Sequence, residues 1–262
     1  MNNISETRTR SRTGLSGKTA IVVGASRGLG RAVVTALADA GAHVVGVART
    51  QVAPPQVAAG GSIQFEVADA GDATVPARLL DHHAPDIVVL VAGASPHMRP
   101  LQQQTWETFS ANWETDVRIT FQWLREILLS PLRPGSRVVV VSSGAAVAGS
   151  PLSGGYAGAK ATQRFIAAYA QDEARRAGLD ITFSTILPRF SPETGVGKPA
   201  VRAYAARGGQ SVEDYLHAVV ESGGPLVTPQ VAGDAVVDLV TADKADVAPA
   251  YMLSGGGLKA LP

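Results

Sequence analysis

Tyr156 and Lys160 stand four residues apart at the head of a helical stretch, Ala157 to Ala170, and Ser143 precedes the tyrosine by thirteen residues. At that spacing the phenol and the ammonium share one helix face. An ordinary phenol is a poor acid at neutral pH, and a neighbouring ammonium favours its ionised form, so the pair suits proton transfer to or from an oxygen. Ser143 follows the strand Arg137 to Val141, at the strand end where open α/β sheets place ligands, so its hydroxyl can join the pair in one crevice. Each residue also has an ordinary use, the tyrosine as a half-buried amphipath, the lysine as a solvated helix charge and the serine as a turn former. The chemistry rests on their combination.

A second cluster lies near the start. Gly24-Ala-Ser26-Arg27-Gly28-Leu29-Gly30 sits between an apolar run, Thr19 to Val23, and residues at helical period, Leu29, Ala32, Val33, Ala36, Leu37 and Ala40. Glycines there permit a tight turn, and the following helix N-terminus can receive a pyrophosphate. The second strand, His43 to Val47, runs into Ala48 and Arg49, where an acid would hydrogen-bond the ribose hydroxyls of NAD. Arg49 and Arg27 offer planar, permanent charges to a 2′-phosphate instead, which favours NADP(H); the alternative is that both are solvated surface charges.

The elements that must position these residues alternate. Strands Ile63 to Val67, Asp86 to Val91, Arg137 to Val141, Ile181 to Leu187 and Tyr251 to Leu253 follow the first two, with helical stretches between most of them. This predicts an α/β fold, a Rossmann-like doubly wound parallel sheet of about seven strands with helices on both faces. No linker divides residues 15–262, so one domain is expected. Residues 1–14 read as a disordered tail, with an anion-binding arm of Arg8, Arg10 and Arg12 as the alternative. Residues 189–225, with several Gly and Pro and a helix around Val212 to Val220, read as a lid-like insertion or an ordinary surface one. The helix Thr105 to Leu129 carries an apolar stripe, Phe109, Trp113, Val117, Phe121, Leu124 and Leu128, expected to face the core.

The 262 residues carry a formal net charge of +1, which gives no field to draw nucleic acid or an anionic membrane. The chain has no cysteine, which excludes disulfides, thiolate catalysis and Cys-ligated metals, and no metal is expected. No apolar run has the length of a signal peptide or a membrane helix, so a cytoplasmic protein acting on a small molecule is expected.

Together the glycine turn, Ser143 and Tyr156-Ala-Gly-Ala-Lys160 resemble the short-chain dehydrogenase/reductase family over Leu15 to Gly257. The resemblance implies hydride transfer between a nicotinamide and a carbonyl/alcohol pair. Tyr156 would protonate the carbonyl oxygen, Ser143 rather than Ser142 would hydrogen-bond it, and Lys160 would hold the nicotinamide ribose. It also implies a homodimer or homotetramer built on the Trp106 and Tyr156 helices. Glu66-Val67 resembles the pair that borders the adenine, although an acid closing a strand is an equal alternative.

Three positions depart from the family pattern. Leu90-Val91-Ala92-Gly93 stands where Asn-Asn-Ala-Gly is usual, keeping only the Ala92-Gly93 turn. Asp116 falls where an asparagine normally completes a tetrad, its backbone carbonyl holding a water in a proton relay; Asp116 can keep that role, place a carboxylate near Lys160, or yield to Asn112 one turn earlier, the alternative being a cap-like or surface aspartate. Pro188-Arg189 replaces Pro-Gly, and Thr194 sits near the position of the threonine that contacts the nicotinamide amide. Arg189 either meets an acidic substrate group or faces solvent. The reading is an NADPH-dependent carbonyl reductase; His97, Met98, Leu152, Phe190 and Tyr204 either line a moderately apolar pocket or pack within their loops, as equal alternatives. The alternative is a catalytically weakened NADP-binding sensor or scaffold of the same fold.

Overall fold

The computed structural model describes residues 14–57 and 60–262, so the expected tail lies outside the described residues except for Gly14. The runs Thr19–Val23 (β1), His43–Ala48 (β2) and Ile87–Leu90 (β4) are almost wholly buried, because the sheet they form is covered on both faces. Alternate side chains of β1 go to opposite sides: Ala20 and Val22 join one core, Ile21 and Val23 the other. Helix α1 (Gly28–Asp39) returns the chain between β1 and β2, and β3 (Ser62–Val67) flanks β2 at the sheet edge.

Helix α2 (Thr74–His83) precedes β4, and β5 (Ser136–Val141), β6 (Ile181–Pro188) and β7 (Ala250–Ser254) complete a parallel set in the order β3-β2-β1-β4-β5-β6-β7. The order reverses between β1 and β4, and a ligand crevice is expected outside the carboxyl ends of strands at such a point. An eighth strand, β8 (Gly257–Ala260), extends the sheet by pairing antiparallel with β7. It escaped the sequence reading because its four residues are too few to show alternation and carry one buried side chain, Leu258.

The helix expected over Thr105 to Leu129 has three parts: α3 (Trp106–Asn112), a π-helical turn (Trp113–Val117) and α4 (Arg118–Leu129). A π turn adds a residue to the helical period and rotates everything after it. The core face of α4 is therefore Ile119, Trp123, Leu124 and Ile127, and Phe121, expected in the core, is 54% exposed, with Trp113 also outward. After the short α5 (Ala145–Ala148), α6 (Tyr156–Arg176) packs beside α4 and covers one sheet face; α9 (Pro229–Thr241) packs with α1 on the other.

Between β6 and α9, residues 189–225 hold two helices, α7 (Gly197–Arg207) and α8 (Val212–Gly223); the sequence reading found only the second. Among the described residues no helix is long and apolar enough to cross a membrane.

Candidate active site

A cleft of about 960 Å³ opens at the carboxyl ends of β1, β2, β4, β5 and β6. Gly24 follows β1 with φ +91, and a Cβ there would stand 2.6 Å from the Ala92 backbone; a Cβ on Gly30 would stand 2.1 Å from the Gly24 carbonyl oxygen. Only glycine lets the turn, α1 and the segment after β4 approach this closely. No side chain caps the first turn of α1, so its free N–H groups are available to an anion in the cleft. Gly24, Ser26, Arg27, Gly28, Leu29, Gly30, Arg49, Ala92 and Gly93 all line it. No ion pair joins Arg27 or Arg49 to a carboxylate among the described residues. Arg27 leans toward the loop after β6, where its guanidinium would meet a Cβ on Gly195 at 3.8 Å.

Glu66 and Val67 are not in the cleft. Strand alternation turns Glu66 toward α2, where it meets His83 at 3.5 Å and Arg78 at 3.7 Å, while Val67 is 52% exposed. Burial and then the neighbouring His82 hold His83 below the ordinary histidine range, against the pull of Glu66. The cleft wall lies further on, at Ala68, Asp69 and Ala70, because ligands meet a strand beyond its carboxyl end rather than within it. Asp69 folds back to accept the Gly71 N–H at 2.9 Å.

Ser143, Tyr156, Lys160, Asp116, Pro188 and Thr194 line the same cleft. The Ser143 hydroxyl accepts the Ala145 N–H at 3.2 Å. Its neighbour Ser142 is buried and donates to the Lys160 carbonyl at 2.7 Å, tying α6 to the end of β5. Lys160 Nζ lies 5.6 Å from the Tyr156 ring centre. The Thr194 hydroxyl staples its own loop, donating to the Ser191 carbonyl at 2.8 Å and accepting the Gly197 N–H at 2.9 Å.

The π turn delivers Asp116 into the interior, where it is 0% exposed. Its Oδ2 lies 3.0 Å from Lys160 Nζ, and its Oδ1 accepts the Ala94 N–H at 2.8 Å. Asn112 supports this carboxylate through Nδ2, at 3.3 Å from Oδ1, and also donates to the Ala94 carbonyl at 2.8 Å. Of the alternatives left open by the sequence, the structure therefore puts a carboxylate beside Lys160, with Asn112 behind it. Burial works against a charged Lys160, but the charge interaction with Asp116, aided by Tyr156, outweighs it and holds the ammonium above the ordinary lysine value.

The Asp116 backbone carbonyl is engaged within the protein. It accepts from Thr120 Oγ1 at 2.8 Å and from Gln163 Nε2 at 3.1 Å, and Gln163 Oε1 accepts from Lys160 Nζ at 2.9 Å. Gln163 and Thr120 were missed in the sequence, although Gln163 stands three residues after Lys160, on the same helix face.

Over the cleft, Phe190, Tyr204 and Tyr215 form an aromatic wall. Tyr215 stacks on Tyr204 with ring centres 6.2 Å apart and 9° between planes, and meets Phe190 edge-on at 5.8 Å. The Tyr204 hydroxyl lies 2.7 Å from Ser150 Oγ, and burial, with Tyr204 beside it, pushes Tyr215 above the ordinary phenol value. His97, Met98 and Leu152, expected in the pocket, do not line it. Arg189 borders the cleft and donates to the Gly223 carbonyl at 2.5 Å, at the end of α8.

Residues 18–208 match the family model described as short chain dehydrogenase. L-xylulose reductase of Mesocricetus auratus is 32% identical over 110 residues, 42% of this chain and 45% of that protein. A hydroxynaphthalene reductase-like protein Arp2 of Metarhizium majus is 33% identical over 191 residues, 66% of this chain and 68% of that one. The chain thus spans from under half to about two thirds of these relatives' lengths. Among solved structures, a short-chain type dehydrogenase/reductase from Mycobacterium ulcerans superposes with TM-score 0.75 at 21% identity, covering 94% of this chain and 93% of that one. A metagenomic short-chain oxidoreductase in complex with NADP gives TM-score 0.65 at 21% identity, covering 91% and 97%.

Proposed function

The chain belongs to the short-chain dehydrogenase family, and from that premise we propose that it is an NADPH-dependent oxidoreductase that reduces a carbonyl group to an alcohol. The observation that carries this reading is the gathering of Ser143, Tyr156 and Lys160 in one cleft with the glycine turn and two arginines that have no carboxylate ion-pair partner among the described residues. The glycine turn and the free first turn of α1 fit a pyrophosphate. Arg49, past the end of β2, suits a 2′-phosphate, and Arg27 suits the pyrophosphate beneath the loop at Gly195. When bound, the nicotinamide supplies the hydride.

The protein's own residues do the rest. Lys160, fixed by Asp116, presents positive charge beside Tyr156 and has one ammonium proton left for a ribose hydroxyl after its bonds to Asp116 and Gln163. Tyr156 gives its phenolic proton to the carbonyl oxygen, and Ser143 donates a hydrogen bond to the same oxygen. The aromatic wall of Phe190, Tyr204 and Tyr215 favours a bulky, flat apolar substrate, nearer to the aromatic ring in the fungal relative's name than to the sugar in the mammalian one's. Exposed Trp106, Phe121, Phe165 and Tyr169 on α3, α4 and α6 support association with a second copy. A monomeric mass in solution at about micromolar concentration would remove that part.

The direct test is Tyr156→Phe. Turnover of bicyclic aromatic ketones with NADPH should fall at least about 100-fold while NADPH affinity stays within about twofold. Loss of NADPH binding in the variant would point to damage of the fold, and full activity would remove Tyr156 from its role. Absence of turnover by the wild type, with NADPH still bound, would favour the sensor or scaffold reading.

A further inference from the structure

The polar groups around Lys160 on the protein side are buried. Asp116, Thr120, Gln163 and Lys160 are 0%, 1%, 1% and 5% exposed. Both protons of the Gln163 carboxamide are donated: Nε2 donates to the Asp116 carbonyl at 3.1 Å and to Thr120 Oγ1 at 2.6 Å, while Oε1 accepts from Lys160 Nζ at 2.9 Å. Thr120 in turn donates to that carbonyl at 2.8 Å, which fills both of its lone pairs. A water able to link Lys160 to the carbonyl would have to occupy the space the amide fills. A carboxamide whose two protons are donated and whose oxygen accepts has no proton to hand on.

We propose that Gln163 is a positioning residue that replaces a relay water: it braces Lys160 against the Asp116 carbonyl and closes the protein side of the site to proton entry, so the proton that restores Tyr156 arrives through the cleft mouth. This rests on the reductase reading. For each carbonyl reduced, the carbon receives a hydride from the reduced nicotinamide and the oxygen receives the Tyr156 proton. The phenolate left behind must then take one proton from solvent. The titratable groups facing Lys160 are Asp116 from the π turn and Tyr156 from its own helix, and all three line the cleft. Restoring Tyr156 is thereby coupled to departure of the product.

Two measurements test this. In high-resolution crystal structures of the wild type soaked with NADP+, the Gln163 amide should touch Lys160 with no ordered water between them. In Gln163→Ala a water should bridge Lys160 and the Asp116 carbonyl. In single turnovers of 2-tetralone with NADPH and a pH-indicator dye, wild-type proton uptake should lag the loss of NADPH absorbance. The lag should shorten at least about threefold in Gln163→Ala, where a bridging water reopens the route. A wild-type water between Gln163 and Lys160, uptake that keeps pace with hydride transfer, or an unchanged lag in the variant overturns the proposal. Failure of both proteins to turn over the ketone strikes the reductase reading instead, and the crystallographic comparison still decides the role of Gln163.

Discussion

The floor of the cleft and the outer wall that residues 189–225 contribute face the same space, yet they are held by different means. On the floor, β1, α1, the π turn and α6 fix each group by close backbone approach or by paired, fully buried polar contacts, as at Gly24, Gly30 and the Asp116–Lys160 pair. On the outer wall, α8 contributes no buried side chain, and its ring Tyr215 stacks on Tyr204 and meets Phe190 edge-on. The difference teaches where change is tolerated. On the proposed function, the floor carries the chemistry and should fail as a unit, whereas the outer wall sets what enters and should change selectivity without endangering the fold.

Gly30→Ala should break the floor most severely. Its Cβ would fall 2.1 Å from the Gly24 carbonyl oxygen, a backbone atom that cannot step aside. A loss of about 3 kcal/mol or more in chemical denaturation is expected; a loss below about 1 kcal/mol would mean the turn is looser than described.

Asp116→Asn sharpens the comparison through pH. In the wild type the folded-state pKa of Lys160 lies above its unfolded value, so its contribution is fully present below the ordinary lysine range and is lost only as pH rises through the folded value. Removing the carboxylate leaves burial dominant, which lowers the folded pKa below the unfolded one. The unfolded chain then binds more protons, and stability rises with pH toward the ordinary lysine value. Melting temperature should therefore rise between about pH 7 and about pH 10 relative to the wild type. Parallel curves for the two proteins would show that the pair is not electrostatically coupled.

Tyr215→Ala should have the smallest effect on folding, under about 1 kcal/mol, because the ring is half-exposed. It should still weaken binding of flat aromatic ketones about tenfold, with NADPH affinity unchanged. Equal loss for short aliphatic ketones would remove the aromatic wall from substrate choice.

The same contrast decides what the sequence showed. The glycine turn, Ser143, Tyr156 and Lys160 were legible because each sits at a strand end or a helix start marked by an apolar run. The π turn was not, since the stripe Phe109, Trp113, Val117 and Phe121 keeps an unbroken four-residue spacing in the sequence while the backbone gains a residue beneath it. The sequence left Glu66 between an adenine-side role and an acid closing its strand, because strand alternation, invisible without a neighbouring helix to define inside, is what turns it toward α2. Gln163 looked like any polar helix residue. Only its partners, Asp116 and Thr120 from a separate helix, give it a role.

The central claim is tested most directly by calorimetric titration of the wild type with NADPH and with NADH, repeated on Arg49→Ser. NADPH should bind the wild type at least about tenfold more tightly than NADH, a difference of about 1.4 kcal/mol, and the variant should lose most of that margin. Equal affinities in the wild type would make Arg49 a surface charge and contradict the assignment to NADPH.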